Sequence, residues 1–81
     1  MSHEKTSQLL PAFGRRIVQL RTARGWTAVE LGQHAEIEIE KLEQIERGSE
    51  SASLDEMRRL AGALEITLSV LMDFREADHS S

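Results

Sequence analysis

A chain of 81 residues supplies enough apolar side chains for one hydrophobic core but not for two, so the sequence predicts a single domain. It has no cysteine, which excludes disulfide bonds and cysteine-ligated zinc and favours a cytoplasmic location, and it has no apolar run long enough for a membrane segment or a secretory signal. The net charge of −4 counts mildly against nucleic-acid binding, because a duplex-binding domain usually presents a basic face to phosphate.

The first two predicted helices are marked by the residues at their ends. Pro11 suits the first turn of a helix, and Gly25 suits its end because glycine adopts the left-handed conformation without strain. Between them, apolar residues recur at helical spacing, at Phe13, Ile17, Val18 and Leu20. Thr27 and Glu30 then form a capping-box pattern, in which the threonine hydroxyl accepts an amide proton and the glutamate reaches back to the cap. The pattern predicts a short second helix over residues 28–34.

A third helix is predicted after a break at residues 35–37. Its Leu42 and Ile45 point inward at helical spacing, and Gly48 is a good terminator. The small polar residues 48–52 that follow indicate a loop. Two short helices joined by a tight turn therefore occupy the middle of the chain.

Two further helices are predicted after this loop. Ser53 and Glu56 repeat the capping box. The helix that they begin carries an apolar face of Leu54, Met57, Leu60, Ala61 and Leu64. Thr67 is suited to cap a last helix that is apolar almost all round, with Leu68, Val70, Leu71, Met72 and Phe74. So much apolar surface on one short helix indicates a partner.

The predicted elements define one folded region, residues 9–76, between two polar ends. We expect residues 1–8 and 77–81 to be flexible tails, because their side chains are polar and chain ends are ordinarily poorly ordered. No strand pattern and no internal repeat accompany the helices.

Motifs in the middle of the chain resemble those of one family of regulators. They are Arg24-Gly25-Trp26-Thr27, Leu42-Glu43-Gln44-Ile45-Glu46-Arg47-Gly48 and Ser53-Leu54-x-x-Met57-x-x-Leu60-Ala61-x-Ala63-Leu64. Together they are similar to the Xre and lambdoid phage repressor family over residues 13–74, without gaps. The resemblance implies an all-α, compact five-helix lambda-repressor-like domain in which helices two and three form a helix-turn-helix and helix three lies in the major groove. The implied function is that of a sequence-specific, double-stranded DNA-binding transcriptional regulator.

The resemblance also implies a set of DNA-contacting residues. They are Thr27, Ala28, Glu38, Ile39, Glu40, Lys41, Gln44 and Arg47. Gln44 is the best candidate for reading a base, since its amide can pair with N6 and N7 of adenine. Lys41 is expected to donate to guanine or to neutralise a phosphate. Thr27 and Arg47 correspond to positions that contact the sugar-phosphate backbone in relatives.

Other matches to the family concern the scaffold. Arg21 and Glu46 stand where the family places a buried ion pair between helices one and three. Trp26 stands where relatives have a large apolar residue, so we assign it to the core rather than to stacking on a base. We expect a homodimer held by the last helix and hence a near-palindromic operator. The expected interface residues are Leu68, Leu71, Met72 and Phe74.

Three positions depart from the family pattern. Ala28 replaces a glutamine that reaches phosphate or a base, and Glu36 replaces a turn glycine that tends to have a positive φ. Glu38 replaces a serine or threonine at the cap of helix three. Glu38 and Glu40 are repelled by phosphate, which conflicts with ordinary binding in the groove.

Two hypotheses account for the acidic third helix. In the first, an acidic residue reads N4 of cytosine, while Lys41, Arg47 and the arginines of helix one satisfy phosphates. The helix-one arginines are Arg15, Arg16, Arg21 and Arg24. In the alternative, the acidic helix no longer enters DNA and binds a basic protein partner on the same scaffold.

The sequence predicts neither an enzyme nor a cofactor or metal site. His3, His34 and His79 are scattered, and no serine or carboxylate has a spacing that completes a nucleophilic or metal site with His34. Glu38 and Glu40 are two positions apart and so do not share a helix face. Regulators of this shape occur as phage repressors, as restriction-modification controllers and as antitoxins.

Overall fold

The computed structural model describes the backbone of residues 2–73 and the side chains of residues 9–73. This part of the chain has no strand and five helices: α1 Ser2–Ala23, α2 Ala28–Ala35, α3 Ile39–Arg47, α4 Leu54–Leu64 and α5 Leu68–Leu71. The all-helical architecture confirms the predicted fold class. None of these helices is both long enough and apolar enough to cross a membrane.

The predicted capping residues begin three of the helices. The hydroxyl of Thr27 accepts from the amide of Glu30 at 3.1 Å, and the Glu30 carboxylate accepts from the amide of Thr27 at 2.8 Å. Ser53 and Glu56 form the same reciprocal bonds at 3.0 and 2.9 Å. The hydroxyl of Thr67 caps α5. These bonds satisfy amide groups that the first turn of a helix leaves unpaired.

Helix α1 is longer than the sequence predicts. It begins at Ser2 rather than near Pro11, and the proline lies inside it. Residues 2–10 are mostly polar, but several are good helix formers, which accounts for the longer helix. Pro11 packs closely against Gly48, the residue that ends α3. A side-chain carbon built on Gly48 would lie only 2.7 Å from Pro11 Cα. Residues 77–81, the other predicted tail, lie outside the described part of the chain.

The hydrophobic core draws on all five helices. The largest fully buried side chains are Ile17 of α1, Leu31 of α2, Leu42 and Ile45 of α3, Leu60 and Leu64 of α4, and Leu71 of α5. Each such side chain contributes about 1.5–3 kcal/mol through the removal of its apolar surface from water. The core therefore fixes every helix to its neighbours, including the single turn of α5.

Two predicted side-chain orientations are wrong. Leu71, which we assigned to the dimer interface, is fully buried and unavailable to a partner, because the one turn of α5 directs it into the core. Leu54, which we placed on the apolar face of the fourth helix, is 57% exposed, because it is the first residue of α4 and precedes the turns that pack on the core. Near the end of the described part of the chain, the exposed large apolar residues are Val70 and Met72. Phe74 lies outside the described residues.

Helices α1 and α3 cross in direct backbone contact at Gly14. A side-chain carbon built on Gly14 would lie 2.3 Å from the carbonyl oxygen of Glu46 and 2.6 Å from that of Ile45. Real side-chain carbons essentially never approach so closely, so the crossing requires glycine at this position. Gly62 in α4 is different, because a side-chain carbon there would meet no atom within 4 Å.

We expect Gly14→Ala to destabilise the fold by roughly 1–3 kcal/mol, because the added methyl group forces α1 away from α3. Gly62→Ala is the matched control, and we expect it to stabilise the fold by about 0.5–1 kcal/mol, since alanine is the better helix former and the site is open. Denaturant unfolding, followed by the fluorescence of the single tryptophan, measures both free energies. Equal stability of the two variants would contradict the close crossing.

Candidate nucleic-acid interface

The turn between α2 and α3 is fixed by hydrogen bonds. Glu36 ends α2 in the left-handed conformation, with a φ of 58°, which matches the backbone expected at this position. The amide of Ile37 donates to the carbonyl oxygen of Gly32 at 2.9 Å. Nη1 of Arg59, in α4, donates to the carbonyl oxygen of Glu36 at 2.7 Å. Helix α4 therefore braces the turn that sets the angle between α2 and α3.

Helix α3 presents a mostly acidic ridge to solvent. Leu42 and Ile45 face the core, so the exposed side chains lie on the opposite face. We call the exposed positions i, i+3 and i+7, which are Glu40, Glu43 and Arg47, the α3 ridge. A partner that lies along α3 meets two carboxylates and one guanidinium.

Lys41 and Gln44 lie on the flank of α3, where both are half-buried. The ammonium group of Lys41 is 3.4 Å from the carboxylate of Glu50 and 3.7 Å from that of Glu56. Two carboxylates thus balance the charge of Lys41 within the fold, which weakens its expected role in neutralising phosphate. The side chain of Gln44 makes no hydrogen bond within the described residues, so its amide is free to bind a ligand.

The cap residues and first residues of α2 and α3 differ in the contacts that their side chains make. Thr27 is exposed, but its hydroxyl already serves the capping box. Ala28 is half-buried and packs against the core. Glu38 occupies the cap position of α3, is exposed, and makes no capping hydrogen bond with its side chain. Ile39 beside it is half-buried. A free carboxylate and an apolar side chain therefore stand together at the start of α3.

The braced turn and the exposed third helix agree with what comparison with known proteins finds. A family model described as a helix-turn-helix domain matches residues 12–71. The chain belongs to this helix-turn-helix family. The crystal structure of the restriction-modification controller protein C.AhdI from Aeromonas hydrophila is similar, with 34% sequence identity and a TM-score of 0.74 over 76% of this chain and 94% of that chain. No curated protein matches the sequence. The chain is thus a DNA-binding regulator of the Xre type.

Most arginines of α1 and of the turn after it make contacts inside the helix-turn-helix domain. Nη2 of Arg16 donates to the carbonyl oxygen of Val70 at 2.7 Å, and Nη1 of Arg24 donates to that of Leu64 at 3.1 Å. These bonds tie α1 to α5, and the turn after α1 to the end of α4. Within the described residues, three exposed arginines have no hydrogen-bond or ion-pair partner: Arg15, Arg47 and Arg58. Among the helix-one arginines that were expected to contact phosphate, Arg15 is therefore the one without a partner in the described part of the chain.

Arg21 and Glu46 form the ion pair that the sequence predicts. Nε and Nη2 of Arg21 donate to Oε2 and Oε1 of Glu46 at 2.8 and 3.1 Å. Nη1 donates to the carbonyl oxygen of Trp26 at 3.1 Å, and the two charged side chains are only 16% and 10% exposed. Hydrogen bonding to Glu46 raises the pKa of Arg21 above its ordinary value, because the bonds stabilise the charged guanidinium. One side chain thus joins α1, α3 and the turn before α2.

Trp26 is half-buried and packs against the core, as expected from the sequence. Its ring stacks on that of His34, with centroids 4.3 Å apart and planes inclined by 10°. The guanidinium carbon of Arg24 lies 4.8 Å from the centroid of the Trp26 ring. The indole of Trp26 is therefore in contact with side chains of the domain itself, which supports its assignment to the scaffold rather than to stacking on a base.

The sequence pattern does not single out Val29, which the structure places beside the start of α3. Val29 lies on α2 and is 52% exposed. It lines a depression of about 390 Å³ together with Ile37, Ile39, Glu36 and Glu38, which we call the α2–α3 depression. An apolar residue inside an amphipathic helix is ordinarily assigned to the core, so no local signal distinguishes this one.

We expect Arg21→Met and Glu46→Leu each to destabilise the fold by about 3 kcal/mol, because each leaves a nearly buried charge without its partner. The double variant should recover much of this loss, and a double-mutant cycle from denaturant unfolding measures the coupling. Asp55→Asn is the control, since it breaks a solvent-exposed pair with Arg59 and should leave the stability nearly unchanged. Full stability of either single variant would show that the Arg21 pair does not hold the helices together.

Proposed function

We propose that the chain is a sequence-specific regulator of transcription that binds double-stranded DNA as a homodimer on a near-palindromic operator. The observation that carries this proposal is the fixed placement of α3. Glu46 near its end is bonded to Arg21, and the turn before its start is bonded to Arg59. A helix that is held at both ends and open along one side is suited to enter the major groove without reorganisation.

The similarity to C.AhdI favours one regulator class over the others. We infer the role of a restriction-modification controller rather than that of a phage repressor or an antitoxin. No catalytic step belongs to this proposal. Within the described residues, no group of histidine, aspartate or glutamate side chains is arranged to hold a metal ion.

Base reading in this proposal depends on Gln44, and phosphate contact depends on Arg47. The amide of Gln44 is without a side-chain hydrogen bond in the described part of the chain, and it lies one turn from the start of α3. Arg47 is exposed at the other end of the helix. Thr27 remains a candidate for backbone contact through its exposed side chain.

Selection of bound sequences from a random DNA pool, followed by mobility shifts, tests the proposal. We expect Gln44→Ala to lower specific affinity by roughly 1–3 kcal/mol, the usual contribution of a bidentate base contact. Gln19→Ala, an exposed glutamine on α1, is the matched control and should leave affinity unchanged. Glu40→Gln should raise non-specific affinity and steepen its salt dependence, because it removes repulsion from phosphate. Equal effects of the two glutamine variants would argue against base reading by Gln44.

A second function is favoured by the charge of α3. Glu38 and the glutamates of the α3 ridge are exposed, and Lys41 is balanced by two carboxylates. This surface also suits a basic protein partner, whose association rate would depend on the carboxylates. The two functions separate at low salt, where the wild-type chain shifts DNA only if the first proposal is correct.

We propose that the homodimer forms through α5 and the residue that follows it, Met72. Val70 and Met72 are 43% and 38% exposed, and Leu68 beside them is half-buried against the core. A two-fold symmetric contact would cover these side chains on both copies. Leu71 is fully buried, so Val70 is the exposed side chain of α5 through which this contact is tested.

We expect Val70→Asp to convert the dimer to a monomer, because it places a charge in the apolar contact. Sedimentation at micromolar concentration measures the change. Leu54→Asp alters a similarly exposed leucine on α4, which is 57% exposed, and should leave the dimer intact. A wild-type chain that sediments as a monomer would contradict this part of the proposal.

A further inference from the structure

The α2–α3 depression leaves apolar surface uncovered. Val29 is 52% exposed and Ile39 is half-buried, and both line the depression, which lies beside the first residue of α3. In a helix-turn-helix domain, the N-terminal residues of the recognition helix are those that contact base edges. The depression therefore lies where the domain meets bases.

Apolar side chains at this place select for one feature of DNA. The methyl group on C5 of a pyrimidine is the apolar group that the major groove displays, and apolar side chains are its usual contacts. Thymine carries this methyl group. Cytosine carries it when methylated at the same carbon. A depression lined by Val29, Ile37 and Ile39 fits either methylated pyrimidine.

Glu38 distinguishes between these two pyrimidines. Glu38 is among the residues that line the depression, and its side chain is exposed and makes no capping hydrogen bond, so the carboxylate is free to accept one from a ligand. An ionised carboxylate accepts hydrogen bonds and donates none. It therefore pairs with the N4 amino group of cytosine and is repelled by the O4 oxygen of thymine.

We propose that the α2–α3 depression recognises 5-methylcytosine in duplex DNA, with the methyl group against Val29 and Ile39 and the N4 amino group donating to Glu38. This inference rests on the proposed binding to DNA and adds a preference for a modified base. An operator that contains such a position is bound more tightly when methylated, which makes the regulator sensitive to DNA methylation.

Selection from two random pools, one synthesised with cytosine and one with 5-methylcytosine, tests the inference. Positions at which cytosine is enriched only in the methylated pool identify the contact. The selected duplex is then prepared with cytosine, 5-methylcytosine or thymine at that position, and Kd is measured by fluorescence anisotropy at one salt concentration. We expect about fourfold tighter binding with 5-methylcytosine than with cytosine, the ratio for burying one methyl-sized group, and weaker binding with thymine.

Variants of the depression separate the two contacts. Val29→Ala and Ile39→Ala should each bring the ratio between methylated and unmodified cytosine close to one. Glu38→Gln should lose the preference over thymine, because its amide also donates to O4. The matched controls are Leu54→Ala, an exposed apolar residue elsewhere, and Glu43→Gln, the same charge change on the α3 ridge. Neither control should change a ratio, and ratios cancel any loss of folded protein.

The outcomes distinguish this inference from the function on which it rests. Wild-type binding to selected DNA without a preference for 5-methylcytosine, or an unchanged preference in both Val29→Ala and Ile39→Ala, would overturn the inference and leave DNA binding intact. A preference for thymine would overturn the role of Glu38. Absence of wild-type binding to either pool at low salt would overturn the proposed function, and the inference with it.

Discussion

The position of α3 depends on Glu46, because α1 holds both the backbone and the side chain of this residue. Its carbonyl oxygen lies only 2.3 Å from where a side-chain carbon on Gly14 would be, and its carboxylate accepts two hydrogen bonds from Arg21. An apolar contact between two helices permits small sliding movements, whereas a guanidinium and a carboxylate joined by two parallel bonds have one preferred geometry. The orientation of the α3 ridge follows from this pair, although the side chain of Glu46 is itself nearly buried.

The internal use of arginine decides which charges remain for a ligand. Arg16, Arg21, Arg24 and Arg59 are all bonded to carbonyl oxygens or carboxylates of the domain. Lys41 is held by Glu50 and Glu56. With few cations left in the described part of the chain, binding to DNA would release few counterions, so the phosphate contribution to affinity would be small. In the proposed function, affinity must then come mainly from contacts with bases.

The features that the sequence predicted are those decided by local chemistry. Thr27 and Ser53 cap their helices because their hydroxyls reach amides three residues away, and Gly48 ends α3 because it adopts a positive φ. Features that depend on distant parts of the chain were missed. The burial of Leu71 follows from how α5 docks on the core, and the pairing of Lys41 with Glu50 follows from where the loop before α4 lies. The family resemblance identified Arg21 and Glu46, which are 25 residues apart and share no local signal.

The acidic start of α3 has a consequence for how a regulator of this kind would find its operator. A genome presents about 10⁶–10⁹ non-specific sites that compete with one specific site, so occupancy depends on the ratio of specific to non-specific affinity. Repulsion between phosphate and carboxylates such as Glu38 and Glu40 acts at every sequence, whereas a compensating base contact forms only at the operator. The same carboxylates that lower total affinity therefore increase the ratio, provided that one of them accepts a hydrogen bond from a base. In this view, an acidic recognition helix is a source of discrimination, because it makes every site without the correct base unfavourable.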